Sequence, residues 1–207
     1  MTKEVRDIRL NMLFNLANIT ACQRERIALR IDADGTDKDE FVRLSAIDKN
    51  IEDFVRKGEN LYIHSRQCGN GKSSWALRMA IDYLNCIVDK TSLTCKVLYL
   101  NVPDYLMELK SNINEKSDFV YYVKKNIDKA NLVIFDDIGT KSATQFEADA
   151  LQTIIDRRLA NKKSNIYTSN LSDDELHSVL GDRLASRIVN NSVNIELHGH
   201  DKRGIIS

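Results

Sequence analysis

The segment Cys68-Gly-Asn-Gly-Lys-Ser-Ser74 joins a short apolar stretch, residues 61–64, to a stretch with helical periodicity. Glycines let a backbone pass close to phosphates, and N–H groups at a helix start supply positive potential. Lys72 is placed to reach the β- and γ-phosphates of a nucleotide, and the Ser73 hydroxyl to bind Mg²⁺. The sequence therefore predicts a phosphate-binding loop built from Cys68, Gly69, Asn70, Gly71, Lys72, Ser73 and Ser74.

The loop departs from the full pattern GxxxxGK[ST] at its first position, where this chain has Arg66. An arginine there can change the backbone of the loop, cover the phosphates, add a cation beside them or point into solvent. We expect the loop to bind nucleotide despite the change. The alternative that Arg66 suggests is a regulator that binds nucleotide without hydrolysing it.

Predicted strands and helices alternate along the chain from residue 60 onwards. The charge-free stretch 132–135 has the composition of a strand that is buried on both faces. This alternation requires a parallel sheet covered by helices on both faces, so the predicted fold is three-layer α/β. Strands are expected at 61–64, 96–102, 132–135, 165–169 and near 193–197, and helices at 3–19, 40–57, 72–83, 103–113, 117–130 and 144–160.

Polar side chains follow two of the predicted strands. Asp136 and Asp137 come directly after the charge-free strand, and Asn170 follows Tyr-Thr-Ser at the end of the next one. Asp136 would hold Mg²⁺ through water, and Asp137 would orient or deprotonate the attacking water. Because ligands sit at the carboxyl ends of parallel strands, Asn170 is placed to contact the γ-phosphate or that water. Asn170 capping the following helix is the alternative.

Two arginines, Arg183 and Arg187, lie four residues apart in Gly181-Asp-Arg-Leu-Ala-Ser-Arg187 and share one predicted helix face. Local surface ion pairs are the usual role of such residues. The alternative is an arginine offered to the phosphates of a neighbouring subunit, which guanidinium geometry suits. Spacing alone does not decide between them, and the chemistry of Arg203 alone gives it no role.

The composition is that of an ordinary soluble domain. The 207 residues include 30 Lys and Arg and 30 Asp and Glu, so the net charge of zero excludes a globally basic coat for nucleic acid. The four cysteines show no paired spacing, which predicts reduced thiols and a cytoplasmic protein. Apolar stretches stay far below the roughly 18 residues of a membrane-spanning helix, and we expect no membrane association.

Taken in order, Gly-Asn-Gly-Lys-Ser-Ser, Ile-Phe-Asp-Asp-Ile-Gly, Tyr-Thr-Ser-Asn and Gly-Asp-Arg-Leu-Ala-Ser-Arg resemble the DnaC/DnaI-type bacterial and phage helicase loaders. These are P-loop NTPases of the AAA+ class, with the IstB transposition helpers as close relatives. The resemblance covers residues from about 45 to 204. Residues 1–40 carry no motif that matches the family, and their helical spacing predicts a short helical N-terminal extension. For residues 41–207 the resemblance implies an AAA+ ATPase domain without a helical lid domain.

The resemblance also implies the site and its ligands, ATP and Mg²⁺. By position, Lys72 and Ser73 match the Walker A residues, Asp136 and Asp137 the Walker B residues, and Asn170 the sensor I residue. It further assigns Arg187 as an arginine finger and Arg203 as sensor II. Because the finger acts on a neighbouring subunit and the Asp137 side chain is short, the expected ATPase is slow and completed between subunits.

The implied partners are a DnaB-type hexameric replicative helicase, single-stranded DNA and further copies of the chain. The apolar stripe of the first helix, which is Val5, Ile8, Met12, Leu16 and Ile19, either docks on the helicase or packs on its own domain. The candidate DNA contacts are Lys110, Tyr121, Tyr122, Lys124 and Lys125, which more often form a solvated helix face. An IstB-like helper that binds duplex DNA and a transposase is the other alternative. The short N-terminal region is more typical of a phage loader than of a cellular one.

Overall fold

A computed structural model of the protein describes residues 2–25, 27, 29, 35–111, 116–139 and 144–202. Its centre is a sheet of five parallel strands: β1 (Asn60–His64), β2 (Val97–Asn101), β3 (Leu132–Asp136), β4 (Ser164–Ser169) and β5 (Val193–Glu196). The strand order is β2-β3-β4-β1-β5, which puts β3 inside the sheet and β2 at one edge. The predicted α/β fold with a parallel sheet is confirmed.

Helices cover both faces of this sheet. On one face lie α1 (Lys3–Leu16), α3 (Lys38–Lys49), α4 (Ile51–Lys57) and α5 (Lys72–Ile87). On the other lie α6 (Val102–Ser111), α7 (Asp118–Asn126), α8 (Gln145–Ala160), α9 (Asp173–Leu180) and α10 (Asp182–Val189). The short helix α2 (Ala21–Glu25) follows α1.

Strand β3 shows why the sheet needs helices on both sides. Its side chains alternate, with Leu132 and Ile134 in the core under α5 and Val133 and Phe135 in the core under α8. All four are fully buried. A strand that is apolar on both faces is stable only inside a layered sheet, which is the reason that the charge-free run marks the centre of the fold.

The single helix predicted at 40–57 is two helices, because the chain bends at Asn50. The Asn50 side-chain amide donates to the Ala46 carbonyl at 2.9 Å. An asparagine side chain competes in this way with the helical hydrogen bonds and so favours a helix end. Helix α3 therefore ends at Lys49, and α4 starts at Ile51.

The first three residues of the predicted stripe in helix α1 lie outside the core, whereas Ile19, which ends the stripe just after the helix, is buried in it. Leu13 and Phe14 are buried in the core, whereas Val5, Ile8 and Met12 are 47%, 57% and 48% exposed. Leu13 and Phe14 face a different side of the helix from Val5, Ile8 and Met12, because their spacing from these residues is not that of one helix face. The helix therefore has two apolar faces. The inner face shares a core with the sheet, so α1 packs on the α/β domain, while the domain boundary at residue 40 stays a prediction.

None of the helices in the described part of the chain has the length and apolar character needed to cross a membrane.

Candidate nucleotide-binding site

The phosphate-binding loop connects β1 to α5 and borders a cavity of about 230 Å³. Gly69 and Gly71 have φ angles of 75° and 108°, a left-handed conformation that glycine adopts without strain. The loop meets two strand-end side chains in this cavity, whose lining is Cys68, Gly69, Asn70, Gly71, Lys72, Ser73, Ser74, Asp137 and Asn170. Residues from three different segments of the chain thus come together in one place.

Lys72 is buried and held inside the loop. Its ammonium group donates to Gln67 O at 2.7 Å and to Asn70 Oδ1 at 3.3 Å. The fully buried Asn70 side chain in turn donates to Ser65 Oγ at 2.6 Å and to Leu197 O at 3.4 Å. These hydrogen bonds fix the shape of the loop and keep a positive charge beside the cavity, which favours an anionic ligand.

Asp136 ends β3 and is buried next to the cavity, outside its lining. Each carboxylate oxygen accepts a hydrogen bond from a hydroxyl group, one from Tyr99 at 2.5 Å and one from Thr168 at 2.6 Å. Burial, and then the neighbouring Asp136 charge, raise the pKa of Tyr99 far above its usual value, so the phenol stays a donor. Sequence reasoning missed both hydroxyl groups because their role depends on the strand order.

Asp137 and Asn170 lie next to each other just after the carboxyl ends of β3 and β4. The Asn170 side-chain amide donates to Asp137 Oδ1 at 3.4 Å, and the Asp137 backbone N–H donates to Thr168 Oγ1 at 3.0 Å. Asp137 has a φ of 57°, a conformation that aspartate tolerates better than most residues. Asp137 lines the cavity, whereas Asp136 is buried outside its lining.

The side chains present fit a nucleoside triphosphate with a divalent cation. Backbone N–H groups at the start of α5 and the Lys72 ammonium suit phosphate oxygens. The Ser73 hydroxyl and the Asp136 and Asp137 carboxylates are hard oxygen ligands of the kind that Mg²⁺ prefers. Carboxylate, amide and ammonium groups around one cavity are the chemistry needed for phosphoryl transfer to water.

A family model described as IstB-like ATP binding protein matches residues 3–203. This chain belongs to that family. The match includes α1, so the family likeness extends over nearly all of the described chain.

Curated relatives of this IstB-like chain are named replicative helicase loaders. DnaC of Buchnera aphidicola is 28% identical over 153 residues, which are 70% of this chain and 56% of the relative. DnaI of Bacillus subtilis is 26% identical over 178 residues, 76% of this chain and 54% of the relative. The chain therefore spans a little more than half the length of these two relatives.

A solved structure shows the same fold. The putative primosome component from Streptococcus pyogenes superposes with a TM-score of 0.65 at 20% identity, over 93% of this chain and 98% of that one. At this identity the likeness establishes the fold alone. It agrees with the predicted three-layer α/β fold with a parallel sheet.

Arg66, the residue that breaks the loop pattern, turns away from the cavity of this IstB-like chain. Its guanidinium lies 3.3 Å from Glu175 Oε1, in the first turn of α9, and the side chain is mostly exposed. Arg66 is not among the residues that line the cavity. Of the alternatives that the sequence left open, the structure therefore favours a side chain that points into solvent over a cation beside the phosphates.

Helix α10 carries the two arginines on its exposed side. Arg187 Nε lies 3.0 Å from Asp156 Oδ1 of α8, and the Arg187 side chain is half exposed. Arg183 is exposed and forms no ion pair with any residue that the structure describes. Neither arginine lines the cavity of its own chain.

The segment after β5 contacts the phosphate-binding loop. The buried Asp37 carboxylate accepts from the backbone N–H groups of His198 at 2.6 Å and Gly199 at 2.7 Å. Further along, the Lys202 N–H donates to Gly69 O at 2.9 Å, which ties this segment to the phosphate-binding loop. Arg203, the predicted sensor II residue, lies outside the described residues.

Two of the candidate DNA-contact residues interact with other residues of the chain, and three are exposed. Lys110 Nζ lies 3.0 Å from Glu147 Oε1, and the Tyr122 hydroxyl donates to Leu16 O at 2.6 Å. Both side chains therefore serve internal contacts. The exposed members on α7 are Tyr121, Lys124 and Lys125.

Proposed function

We propose that this chain binds Mg·ATP at the phosphate-binding loop and hydrolyses it slowly. The observation that carries the proposal is the convergence of the loop, Asp137 and Asn170 on one cavity. Lys72 would hold the β- and γ-phosphates, and Ser73 and Asp136 would hold Mg²⁺. The metal, when bound, would neutralise charge on the phosphates.

Asp137 would orient the attacking water or take its proton, with the Asn170 amide fixing the carboxylate at 3.4 Å. Its side chain is one methylene shorter than a glutamate, so it reaches less far into the cavity. A poorly reaching base lowers the rate of hydrolysis without weakening nucleotide binding. The expected enzyme is therefore a slow ATPase.

Cys68 gives a direct test of nucleotide occupancy. Its thiol is exposed and lines the cavity, whereas the exposed Cys22 and Cys86 lie elsewhere. With Mg·ATP at about a hundred times its dissociation constant, only about 1% of sites are empty. We expect iodoacetamide labelling of Cys68 to slow by about tenfold or more, as followed by peptide mass spectrometry.

Two controls make this labelling test specific. The rates at Cys22 and Cys86 should not change with nucleotide. In a Lys72→Ala variant, losing two charge-assisted contacts of about 1.5 kcal/mol each weakens ATP binding about a hundredfold. At the same Mg·ATP concentration, about half of the sites are then empty, and the protection of Cys68 should fall to about twofold. Equal protection in Lys72→Ala and the exposed-surface variant Lys49→Ala would contradict the proposed phosphate site.

We propose that the ATPase acts as a helicase loader, which binds a DnaB-type hexameric helicase and assists its placement on single-stranded DNA. The relatives named as loaders and the family match support this function. The contact with the helicase is proposed at α1, within the segment 1–40. Its outer face offers Val5, Ile8 and Met12 as apolar anchors for a groove on the partner.

A pull-down tests the loader proposal. The tagged chain with Mg·ATP is expected to recover the hexameric replicative helicase from a bacterial lysate, identified by mass spectrometry. An Ile8→Asp variant should lose at least about nine-tenths of the helicase, because a charge in a desolvated apolar contact is strongly unfavourable. Lys3→Ala, on an exposed position of the same helix, is the matched control. Recovery of a transposase in place of the helicase would overturn the proposal.

Single-stranded DNA is proposed to contact α7 through Tyr121, Lys124 and Lys125. A tyrosine ring that is 68% exposed is available to stack on a base, and the lysines supply phosphate contacts. Self-association is proposed through ATP-bridged interfaces, with Arg187 of one copy reaching the phosphates bound to the next. The half-exposed position of Arg187 outside its own cavity supports this arrangement.

The family name favours one second candidate, an IstB-like transposition helper that binds duplex DNA. The two functions differ in the DNA they require. Filter binding with a single-stranded oligonucleotide and its duplex, at equal salt, separates them. Preference for the duplex would favour the transposition helper.

A further inference from the structure

The Tyr99 side chain connects strand β2 to Asp136 at the end of strand β3. Its hydroxyl group donates to Asp136 Oδ2 at 2.5 Å, across the pair of strands β2 and β3. In the register of that pair, Tyr99 faces Ile134, so Asp136 is its diagonal neighbour on the same face of the sheet. The Tyr99 side chain is buried.

The Asp136 carboxylate is held from both sides of β3. Thr168, on the neighbouring strand β4, donates to the second carboxylate oxygen at 2.6 Å. A carboxylate with one donor on each oxygen has a fixed plane, and each oxygen keeps a free lone pair for a further ligand. Buried strands carry both donors, which is the arrangement that gives a functional group a precise position.

The backbone of Tyr99 is held by the end of α1. Strand β2 is at the edge of the sheet, where N–H and C=O groups lack a strand partner. The Tyr99 N–H donates to Ala17 O at 2.8 Å, and the Asn18 side-chain amide donates to Tyr99 O at 3.2 Å. Asn18 has a φ of 59°, and this left-handed turn brings its amide to the strand.

We propose that Tyr99 is a positioning residue through which helix α1 sets the orientation of the Asp136 carboxylate. The end of α1 fixes the edge strand at Tyr99, and the Tyr99 hydroxyl fixes one oxygen of Asp136. The inference rests on the proposed binding of Mg·ATP, because Asp136 is there the group that holds Mg²⁺. It makes the N-terminal helix a structural part of the magnesium site.

The consequence is a specific loss when the hydroxyl group is removed. In Tyr99→Phe the Asp136 carboxylate keeps only the Thr168 donor and can rotate about its Cβ–Cγ bond. Only some of the resulting orientations suit the cation, so binding of Mg²⁺ weakens. Contacts between the loop and the phosphates do not involve Tyr99 and should persist.

The test measures nucleotide and metal separately. Binding of a methylanthraniloyl-labelled ATP is followed by fluorescence, first in EDTA and then as Mg²⁺ is added. For Tyr99→Phe we expect Mg-free affinity within about twofold of wild type. The Mg²⁺ concentration that gives half of the fluorescence change on Mg²⁺ addition should rise about tenfold. This is the effect expected from the loss of one hydrogen bond to a charged group.

Two further variants examine the contact with α1. Asn18→Gly keeps the left-handed φ without strain and removes the amide, and it should raise the Mg²⁺ requirement about threefold. Tyr122→Phe is the matched control, since its hydroxyl also contacts the end of α1, at Leu16 O, but not Asp136. Its Mg²⁺ dependence should equal that of the wild type.

The outcomes separate the two proposals. No binding of the labelled ATP to the wild-type chain would overturn the proposed function and this inference with it. Wild-type binding with an unchanged Mg²⁺ requirement in Tyr99→Phe would overturn this inference alone. If Tyr99→Phe lost as much affinity without Mg²⁺ as with it, this inference would also be overturned, because such a loss indicates a general structural effect. An Asn18→Gly variant like the wild type would overturn the role of α1.

Discussion

Replacing Arg187 by alanine is expected to lower ATP hydrolysis by the assembled protein about a thousandfold, with ATP binding unchanged. Arginine neutralises charge that develops on the transferred phosphoryl group, so its contribution appears in the rate and not in ground-state affinity. In the single chain Arg187 lies outside the cavity and pairs with Asp156 at 3.0 Å. To act, the guanidinium has to leave that carboxylate and reach the phosphates on a second copy.

The measurement is steady-state ATPase activity over a range of protein concentrations. Wild-type activity per chain should rise as the chains associate, whereas Arg187→Ala should stay low throughout. Loss of the partly exposed ion pair with Asp156 costs at most about 1 kcal/mol, so the variant should remain folded. Arg183→Ala, four residues earlier on the same face, is the control and should keep most of the activity.

Mixing two inactive variants decides whether the arginine acts between subunits. Arg187→Ala keeps Asp137 but lacks the proposed arginine finger, and Asp137→Asn keeps Arg187 but lacks the proposed base. In mixed assemblies the intact Arg187 of one chain can face the intact Asp137 of another, which should restore part of the activity. An unrestored mixture, with association of both variants demonstrated, would place the function of Arg187 within its own chain.

Local sequence patterns predicted the parts of this site that depend on neighbours in the chain. The glycine-lysine loop, the carboxylates after a charge-free strand and Asn170 after the next strand each require only the residues around them. Parallel strands then bring their carboxyl ends to one edge, which is why Asp137 and Asn170 meet in the cavity. Asp136 differs, because its partners Tyr99 and Thr168 come from the two flanking strands.

Helix α1 shows the limit of periodicity as a guide to burial. The spacing of Val5, Ile8 and Met12 is as regular as that of a core stripe, yet these residues face outward. Periodicity identifies an amphipathic helix but not which of two apolar faces meets the domain. The docking of α1 on the edge of β2 settles the matter, and nothing in residues 1–20 encodes that edge.

Arg158 occupies a position that its residue type does not indicate. It follows Arg157 in α8 and carries a charge, so a solvent-facing position is the ordinary expectation. The structure buries it almost completely, and burial lowers the pKa of its guanidinium to about 10. Four acceptors surround the group: Ile127 O, Ala130 O, Ser164 O and Asn165 Oδ1.

These acceptors belong to the end of the sheet opposite the nucleotide cavity. Ser164 and Asn165 begin β4, and the Asn165 amide continues to Asn60 Oδ1 of β1 at 2.8 Å. Arg158 Nε and Nη2 reach Asn165 Oδ1 at 2.6 Å and Ser164 O at 2.7 Å. The guanidinium therefore links α8 to the start of two central strands and to the segment after α7.

Replacing Arg158 by methionine is expected to lower the free energy of unfolding by about 3–5 kcal/mol. Each buried acceptor left without a donor costs about 1–3 kcal/mol, and release of the guanidinium desolvation cost offsets part of the sum. Thermal unfolding followed by circular dichroism should show a fall in Tm of about 6–20 °C, at about 2–4 °C per kcal/mol for a chain of this size. The stability of Arg158→Lys should lie between those of the wild type and Arg158→Met. The four acceptors are arranged around a planar guanidinium, and a single ammonium group cannot reach all of them.

The neighbouring arginine provides the matched control for this prediction. Arg157 pairs with Asp128 at 3.3 Å and is half exposed, so Arg157→Met should change the unfolding free energy by no more than about 1 kcal/mol. Since Arg158 lies away from the cavity, folded Arg158→Met at low temperature should bind ATP as the wild type does. Equal stability of the two methionine variants would show that the buried hydrogen bonds of Arg158 contribute no net stability, and that its desolvation cost cancels them.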